Sequence, residues 1–158
     1  MSDYDEPYQD GYGDSGGGSA SEPGLVPPQD VHAEQSVVGA MMLSKDAIAD
    51  VIEALRGNDF YRPAHEQIYD AIIDLYGRGE PADAVTVSAE LSKRGELIRI
   101  GGAPYLHDLL SSVPLAANAG FYADIVREKS ILRRLADASV RIAQMAYSAE
   151  GEVDDIVD

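Results

Sequence analysis

The chain has three histidines, and their spacing decides whether the sequence could hold a metal ion. His32, His65 and His107 lie far apart, so none has a second histidine three or four residues away on one helical face. The sequence also contains no cysteine, which removes thiolate ligands. We therefore predict no metal site, and we interpret His65, which lies close to Tyr61 and Glu66 in the sequence, as a capping or packing residue.

Two patterns that accompany catalysis in other proteins are incomplete here. The glycine pair Gly101–Gly102 is followed by Ala103 and Pro104, without the lysine of a phosphate-binding loop. No serine of the body has the flanking glycines of a nucleophile elbow; the residues concerned are Ser88, Ser92, Ser111 and Ser112. We therefore predict no catalytic residue and no cofactor-binding residue in this chain.

A basic cluster stands out because the chain as a whole is acidic, with a net charge of −16. Its members are Arg127, Lys129, Arg133, Arg134 and Arg141. One interpretation is a solvated helix face, supported by the spacing of four residues between Arg133 and Asp137. The other is an interface with an acidic partner or a second subunit, and the sequence leaves both open.

Most of the negative charge lies at the two ends of the chain. Residues 1–30 hold seven acidic residues and no lysine or arginine, and residues 150–158 hold five acidic residues. Phosphate binding depends on local positive charge, so we expect no direct contact with nucleic acid and favour protein partners. No apolar run is long enough for a membrane span and no secretory signal is present, so we expect a cytoplasmic protein.

Composition and hydrophobic periodicity predict an all-α fold in three parts. Residues 1–28 are predicted to be a disordered acidic tail rich in Gly, Ser and Tyr, in which Tyr4, Tyr8 and Tyr12 recur every four residues. Residues 29–114 are predicted to form a small helical globule, and residues 115–158 a helical hairpin. In the globule we expect Asp30, Ser44 and Thr86 to cap helices, Gly57–Asn58 to end the second helix, and Leu97–Ile100 to be the one extended stretch.

The last predicted helix is unusually long, running from about residue 116 to residue 147. Its apolar residues step by four and three, a spacing that calls for a partner helix. We predict self-association through the following residues: Phe121, Ile125, Leu132 and Leu135. Residues 152–157 begin a further helix, which we interpret as a truncated second arm of the hairpin because the sequence ends at Asp158.

Several segments together resemble the N-terminal domain of DnaB-type replicative DNA helicases. They match in the order and spacing of that family over residues 27–158, and their sequences are PQDVHAEQSVVGAMML (28–43), DFYRPAH (59–65), DAVTVSAEL (83–91), GGAPYL (101–106), VPLAANA (113–119) and YADIVREK (122–129). The resemblance implies an all-α globule followed by a helical hairpin. It also implies that six copies form a collar, as a trimer of dimers, above a ring of motor domains.

The resemblance further implies binding partners for this domain and an enzymatic activity for the parent protein. The collar would bind the C-terminal domain of a DnaG-type primase, and a helicase loader is a further candidate partner. ATP, Mg²⁺ and 5′→3′ unwinding would belong to the parent protein, with no cofactor in this part. Mapped onto matching positions, the primase surface would include Tyr105, Arg133, Arg134, Ala136 and Ile142.

Two other functions compete with that of a collar domain. A free-standing acidic helical regulator that binds helicase or primase would end in a stop codon after Asp158. A small hydrolase or nucleotide binder would give heat on titration with ATP and Mg²⁺. For the basic cluster we expect reversal of Arg133 and Arg134 to glutamate to weaken primase binding while stability stays nearly unchanged.

Overall fold

The fold was analysed in a computed structural model, which describes residues 25–149 and 151–158. Its α-helices are α1 (Val31–Leu43), α2 (Lys45–Ala54), α3 (Pro63–Gly77), α4 (Ala84–Lys93), α5 (Leu97–Ile100), α6 (Gly102–Ser112), α7 (Ala119–Ser148) and α8 (Val153–Val157). Within these ranges there is no strand, and the all-α prediction is confirmed. Residues 1–24 of the predicted tail, with its three tyrosines, lie outside the described residues.

The N-terminal caps follow from side-chain oxygens placed just before each helix. Asp30 accepts the amide of Ala33 at 2.9 Å, and Ser44 accepts the amide of Ala47 at 3.4 Å, so both caps are confirmed. The prediction for Thr86 is wrong. Asp83 caps α4, because its carboxylate accepts the Thr86 amide at 2.9 Å and is a stronger acceptor than a hydroxyl.

Two boundaries in the loops also differ from expectation. The stretch Leu97–Ile100 is one helical turn rather than an extended segment, closed by the Ile100 amide on the Glu96 carbonyl at 3.1 Å with Ile100 buried. Gly101 ends this turn at φ +116°, a conformation that glycine adopts without strain. Helix α2 ends at Ala54, and residues Gly57–Asp59 form a separate 3-10 turn.

The core is built around α1, which contacts α2, α3, α6 and α7. Val37, Val38 and Ala40 are completely buried, so this helix is apolar on nearly all sides rather than on one face. The contact with α6 is especially close, because a Cβ atom at Gly39 would lie 2.4 Å from the carbonyl oxygen of Leu109. Glycine is therefore required where these two helices cross.

Helix α7 begins inside the globule and then leaves it. Its buried residues are Ala119, Ala123, Val126 and Ser130, and they pack against α1 and α2. From residue 131 to residue 149 every side chain is half-exposed or exposed. With 30 residues at 1.5 Å each, α7 is about 45 Å long, so more than half of its length projects from the globule.

The chain turns sharply after α7. Ala149 has φ +49° and Gly151 has φ +91°, and the five-residue helix α8 follows.

No single helix among the described residues is both long and apolar enough to cross a membrane, although α6 and the segment 116–148 pass that test as a bent pair.

Candidate interaction surface on the long helix

Helix α7 carries an apolar stripe on the side that faces away from the globule. We define the apolar stripe as Phe121, Ile125, Leu132, Leu135 and Ile142. Successive residues of a helix are rotated by 100°, so these side chains all point within about 60° of the direction opposite to buried Ser130. Phe121 is 72% exposed, Leu135 66% and Ile142 62%. The structure thus brings the four predicted self-association residues together on one exposed face, while their self-association remains a prediction.

An open groove continues the stripe toward the globule. It has a volume of about 1070 Å³ and lies between the end of α2 and the start of α7. Phe121 forms one wall, and Gly120 lines it with no side chain to fill it. Its lining carries charges of both signs, from Asp50, Glu53 and Asp124 and from Arg56 and Arg127. This end of the stripe therefore presents an aromatic ring next to a groove lined by acidic and basic side chains.

Asp59, at the end of the 3-10 turn, fastens α7 to the globule. It is 1% exposed. Its Oδ1 accepts the Ser130 hydroxyl at 2.7 Å and forms an ion pair with Arg134, while its Oδ2 accepts the Arg56 amide at 2.8 Å. The Arg133 guanidinium donates to the carbonyls of Asp59 at 2.6 Å and Pro28 at 2.8 Å. We call this group the Asp59 junction.

The electrostatics of the Asp59 junction favour an ionised carboxylate. Burial acts to raise the pKa of Asp59, but the Arg56 amide, the Ser130 hydroxyl and the Arg134 guanidinium together outweigh it. The pKa of Asp59 is consequently lowered from its usual value. A group with a lowered pKa in the folded state stabilises that state above its unfolded pKa, and the contribution is lost as the pH falls.

Asp59→Asn is therefore expected to destabilise the domain in a pH-dependent way. The difference in free energy of unfolding between wild type and variant should be full at pH 7 and shrink below about pH 4, where Asp59 of the unfolded wild type is already protonated. Urea titrations at several pH values measure it. Asp137→Asn, an exposed position on the same helix, is the control and should show almost no difference at any pH. A difference that stayed constant with pH would contradict the assignment.

A second buried polar network lies next to the Asp59 junction, around Glu34 of α1. Glu34 accepts the Tyr61 amide at 2.9 Å, the Arg62 amide at 3.3 Å and the Nδ1 proton of His65 at 2.8 Å. The Glu34 carboxylate can only accept, so Nδ1 of His65 carries a proton, and Nε2 lies 2.6 Å from the Tyr105 hydroxyl, within hydrogen-bond distance. The interpretation of His65 as a packing residue holds, since it is fully buried. Its partners are 31 and 40 residues away, and no local spacing could have predicted them.

The residues assigned to primase binding do not form one continuous face. Tyr105 is half-buried on α6 and bonded to His65, and the other four lie on α7. Arg134 and Ala136 are two residues apart, so they point to nearly opposite sides of the helix. The Tyr61 loop offers an indirect link, because Glu34 joins it to His65 and Arg133 lies 5.4 Å from the Tyr61 ring centre.

The contacts of Arg133 and Arg134 bear on the expectation that their reversal leaves stability nearly unchanged. The Arg134 side chain is exposed, as expected, but it pairs with the buried Asp59 carboxylate. Arg133 is half-buried and donates to two carbonyls. Their reversal would remove three donors and place two carboxylates beside a third, so the two residues are structural whatever else they contact.

Comparison with known proteins gives three consistent matches. The family model described as DnaB-like helicase N terminal domain matches residues 26–128. The replicative DNA helicase DnaB of Mycobacterium leprae (strain TN) is 68% identical over 137 residues, which is 85% of this chain and 23% of that protein. The replicative DNA helicase DnaB of Leifsonia xyli subsp. xyli (strain CTCB07) is 60% identical over 141 residues, covering 89% of this chain and 31% of that protein. The chain thus spans about a quarter to a third of the length of these relatives.

Two solved structures share the fold. The N-terminal domain of DnaB helicase from Mycobacterium tuberculosis has a TM-score of 0.80 and 66% identity, covering 84% of this chain and 94% of that one. The N-terminal domain of DnaB helicase from Helicobacter pylori, described together with its interactions with primase, has a TM-score of 0.65 and 22% identity, covering 73% and 90%. At that identity the second likeness concerns the fold alone.

Proposed function

Because the chain belongs to the family of DnaB-like helicase N-terminal domains, we propose that it is the collar domain of a replicative DNA helicase and holds neighbouring subunits together. The observation that carries this proposal is the apolar stripe of α7, exposed on a helix that projects beyond its own globule. A large apolar surface of this kind marks an interaction site. The unwinding activity is proposed for the whole protein, acting in the cytoplasm.

The stripe is suited to a reversible contact between subunits. Full burial of a large aliphatic side chain contributes about 1.5–3 kcal/mol, and these side chains are already partly covered. Two copies of the five residues would give a total of about 10 kcal/mol, against an association cost of about 4–15 kcal/mol. We therefore expect weak pairing of this chain alone, strengthened when several such contacts act together in a hexamer.

ATP and Mg²⁺ would have to bind elsewhere in the whole protein. The described residues contain no group of three or more His, Asp or Glu side chains placed to hold a metal ion. The Gly101–Gly102 turn is filled by the Tyr105 side chain, since a Cβ at Gly101 would lie 2.9 Å from the Cβ of Tyr105. Gly101 therefore leaves little room for a phosphate group, and we propose that the nucleotide binds in another part of the whole protein.

We also propose that the domain binds the C-terminal domain of a DnaG-type primase, with Tyr105, Arg133, Arg134, Ala136 and Ile142 in the contact. The described interaction of the Helicobacter pylori relative with primase supports this. Ala136 and Ile142 are exposed on the projecting part of α7, and Tyr105 is held in one orientation by His65. The two exposed residues can be covered by a partner without unfolding the globule.

Ala136→Asp is expected to weaken primase binding about tenfold, because a carboxylate would be buried in the contact, at a cost of about 1.4 kcal/mol or more. Titration calorimetry with a purified primase C-terminal domain measures it. Ala136 is preferred to Ile142 because it lies outside the apolar stripe. The matched control is Ala89→Asp, since Ala89 is an exposed alanine on α4, a helix that carries none of the proposed contact residues, and this variant should bind as wild type. If both variants bound primase with equal affinity, Ala136 would not be part of the contact.

A further inference from the structure

The described chain begins beside the arginines of α7. The carbonyl of Pro28 accepts the Arg133 guanidinium at 2.8 Å, and the preceding residues Leu25 and Val26 are 77% and 73% exposed. Residues 1–24, which we call the N-terminal segment, are therefore attached to the domain next to Arg133. The attachment point lies on the surface of the domain and not beneath the globule.

The charge of the N-terminal segment is complementary to that of the projecting part of α7. The N-terminal segment holds six acidic and no basic residues, whereas residues 129–148 hold four basic residues and one acidic residue. Residues 31–128 hold fifteen acidic and eight basic residues. Because charges act over about 10 Å at 0.1 M salt, the segment is attracted to α7 at its own attachment point and repelled by the rest of the globule.

Three of the four cations on this part of α7 are not balanced by a carboxylate of the described residues. Arg133 donates to two neutral carbonyls, and Lys129 and Arg141 form no ion pair within the described part of the chain. Arg134 is the paired member, with Asp59. All four side chains point within about 100° of the direction of buried Ser130 and lie outside the apolar stripe. We call these four residues the basic edge.

The N-terminal segment also offers aromatic side chains that suit arginine. Tyr4, Tyr8 and Tyr12 each have an acidic residue within two positions on either side. Arginine binds the face of a tyrosine ring at about 6 Å or less, and Arg133 already lies 5.4 Å from the centre of the Tyr61 ring. A segment that alternates tyrosines with carboxylates can therefore contact the basic edge through both kinds of side chain.

We propose that the N-terminal segment binds to the basic edge of α7 within the same chain and competes there with primase. From Asp14 to Pro28 the chain can span up to about 50 Å, and only about 12 Å along the helix separates Arg133 from Arg141. Covalent attachment beside the basic edge raises the local concentration of the segment, so that individually weak ion contacts suffice. The competition, unlike the docking itself, rests on the proposed primase contact, which includes Arg133 and Ala136.

Paramagnetic relaxation enhancement tests the docking, because the chain contains no cysteine and a spin label can be attached at Gln9→Cys. At low salt the label should broaden the amide signals of residues 129–147, and the signals should recover at about 1 M salt, where charges are screened beyond about 3 Å. Lys129→Gln combined with Arg141→Gln should remove most of the broadening. The matched control, Lys45→Gln combined with Lys93→Gln, removes the same charge from exposed positions on α2 and α4 and should leave the broadening unchanged.

A mixing experiment distinguishes docking within one chain from docking on a neighbour. Isotope-labelled protein without the spin label is mixed with spin-labelled protein without the isotope, at a concentration where sedimentation shows monomers, and its α7 signals should stay sharp. Broadening in this mixture would assign the segment to a second copy and overturn the proposal. Unbroadened α7 signals in the doubly labelled protein, or equal broadening in the two double variants, would also overturn it.

Replacement of the six acidic residues of the N-terminal segment by their amides tests the competition. This variant should bind a purified primase C-terminal domain about two- to threefold more tightly than wild type at low salt, because partial coverage of the basic edge lowers the apparent affinity by the uncovered fraction. Titration calorimetry measures both affinities, and equal values would overturn the competition. If neither protein bound primase, the competition would be wrong together with the proposed primase contact, and the relaxation experiment would still decide the docking.

Discussion

Glu34→Ala is expected to lower the free energy of unfolding by about 3–5 kcal/mol, the largest effect of any single substitution considered for this domain. The side chain is 1% exposed and accepts three hydrogen bonds, from the amides of Tyr61 and Arg62 and from the ring of His65. Alanine would leave these donors without an acceptor inside the fold, at about 1–3 kcal/mol each before any water enters. Since domains of this size are stable by about 5–15 kcal/mol, the loss should be visible in any denaturation experiment.

Two further variants separate hydrogen bonding from the loss of side-chain volume. Glu34→Gln keeps the size and one acceptor oxygen but turns an NH₂ group toward a donor, so we expect an intermediate loss of about 1–2 kcal/mol. Glu53→Ala removes an exposed glutamate on α2 and should stay within about 0.5 kcal/mol of wild type. Urea denaturation followed by circular dichroism measures all three. If Glu34→Ala were as stable as Glu53→Ala, the buried network would have no energetic role.

Arg133→Glu combined with Arg134→Glu is expected to cost about 2–4 kcal/mol, which corresponds to a fall in Tm of roughly 10 °C. The change removes the donors to the carbonyls of Pro28 and Asp59 and the ion pair with the Asp59 carboxylate. It also brings two new negative charges toward the buried Asp59 carboxylate, of which the one at the exposed position 134 is partly screened by water. The projecting part of α7 should loosen first, because the Asp59 junction is the last contact before the helix leaves the globule.

Arg141→Glu is the matched control for this reversal. Arg141 belongs to the same basic cluster, is exposed, and forms no ion pair within the described part of the chain. Calorimetry should show a clear fall in Tm for the double variant and a change in Tm of at most about 1–2 °C for the control. Equal melting temperatures would contradict the role assigned to the Asp59 junction. Primase binding by the double variant is informative only below its own Tm.

Features that depend on local sequence could be predicted without the structure. The caps at Asp30 and Ser44 follow from side-chain oxygens placed next to a helix start. The exposed face of α7 follows from a periodicity maintained over many turns. Family resemblance predicts the order of the elements, because its motifs extend over most of residues 27–158.

Features that depend on distant contacts could not be predicted. Asp59 meets Ser130 and Arg134 across 71 and 75 residues, and nothing in its own surroundings marks it as buried. The cluster of arginines on α7 therefore predicts little effect on stability, whereas the contacts in the structure predict a loss, since the sequence cannot distinguish an arginine in water from one that bonds a carboxylate inside the fold. The turn at Leu97–Ile100 was misassigned for a related reason, because four apolar residues fit a strand and a helical turn equally well.

Sedimentation equilibrium of the 16.9 kDa chain tests the central claim most directly. Over a series from about 10 µM to about 1 mM, the wild-type mass should rise toward twice the monomer value. A Leu132→Asp, Leu135→Asp variant should remain a monomer with unchanged circular dichroism, since both side chains are exposed in the single chain. A wild-type protein that stayed at the monomer mass throughout would contradict the claim that the apolar stripe of α7 joins subunits.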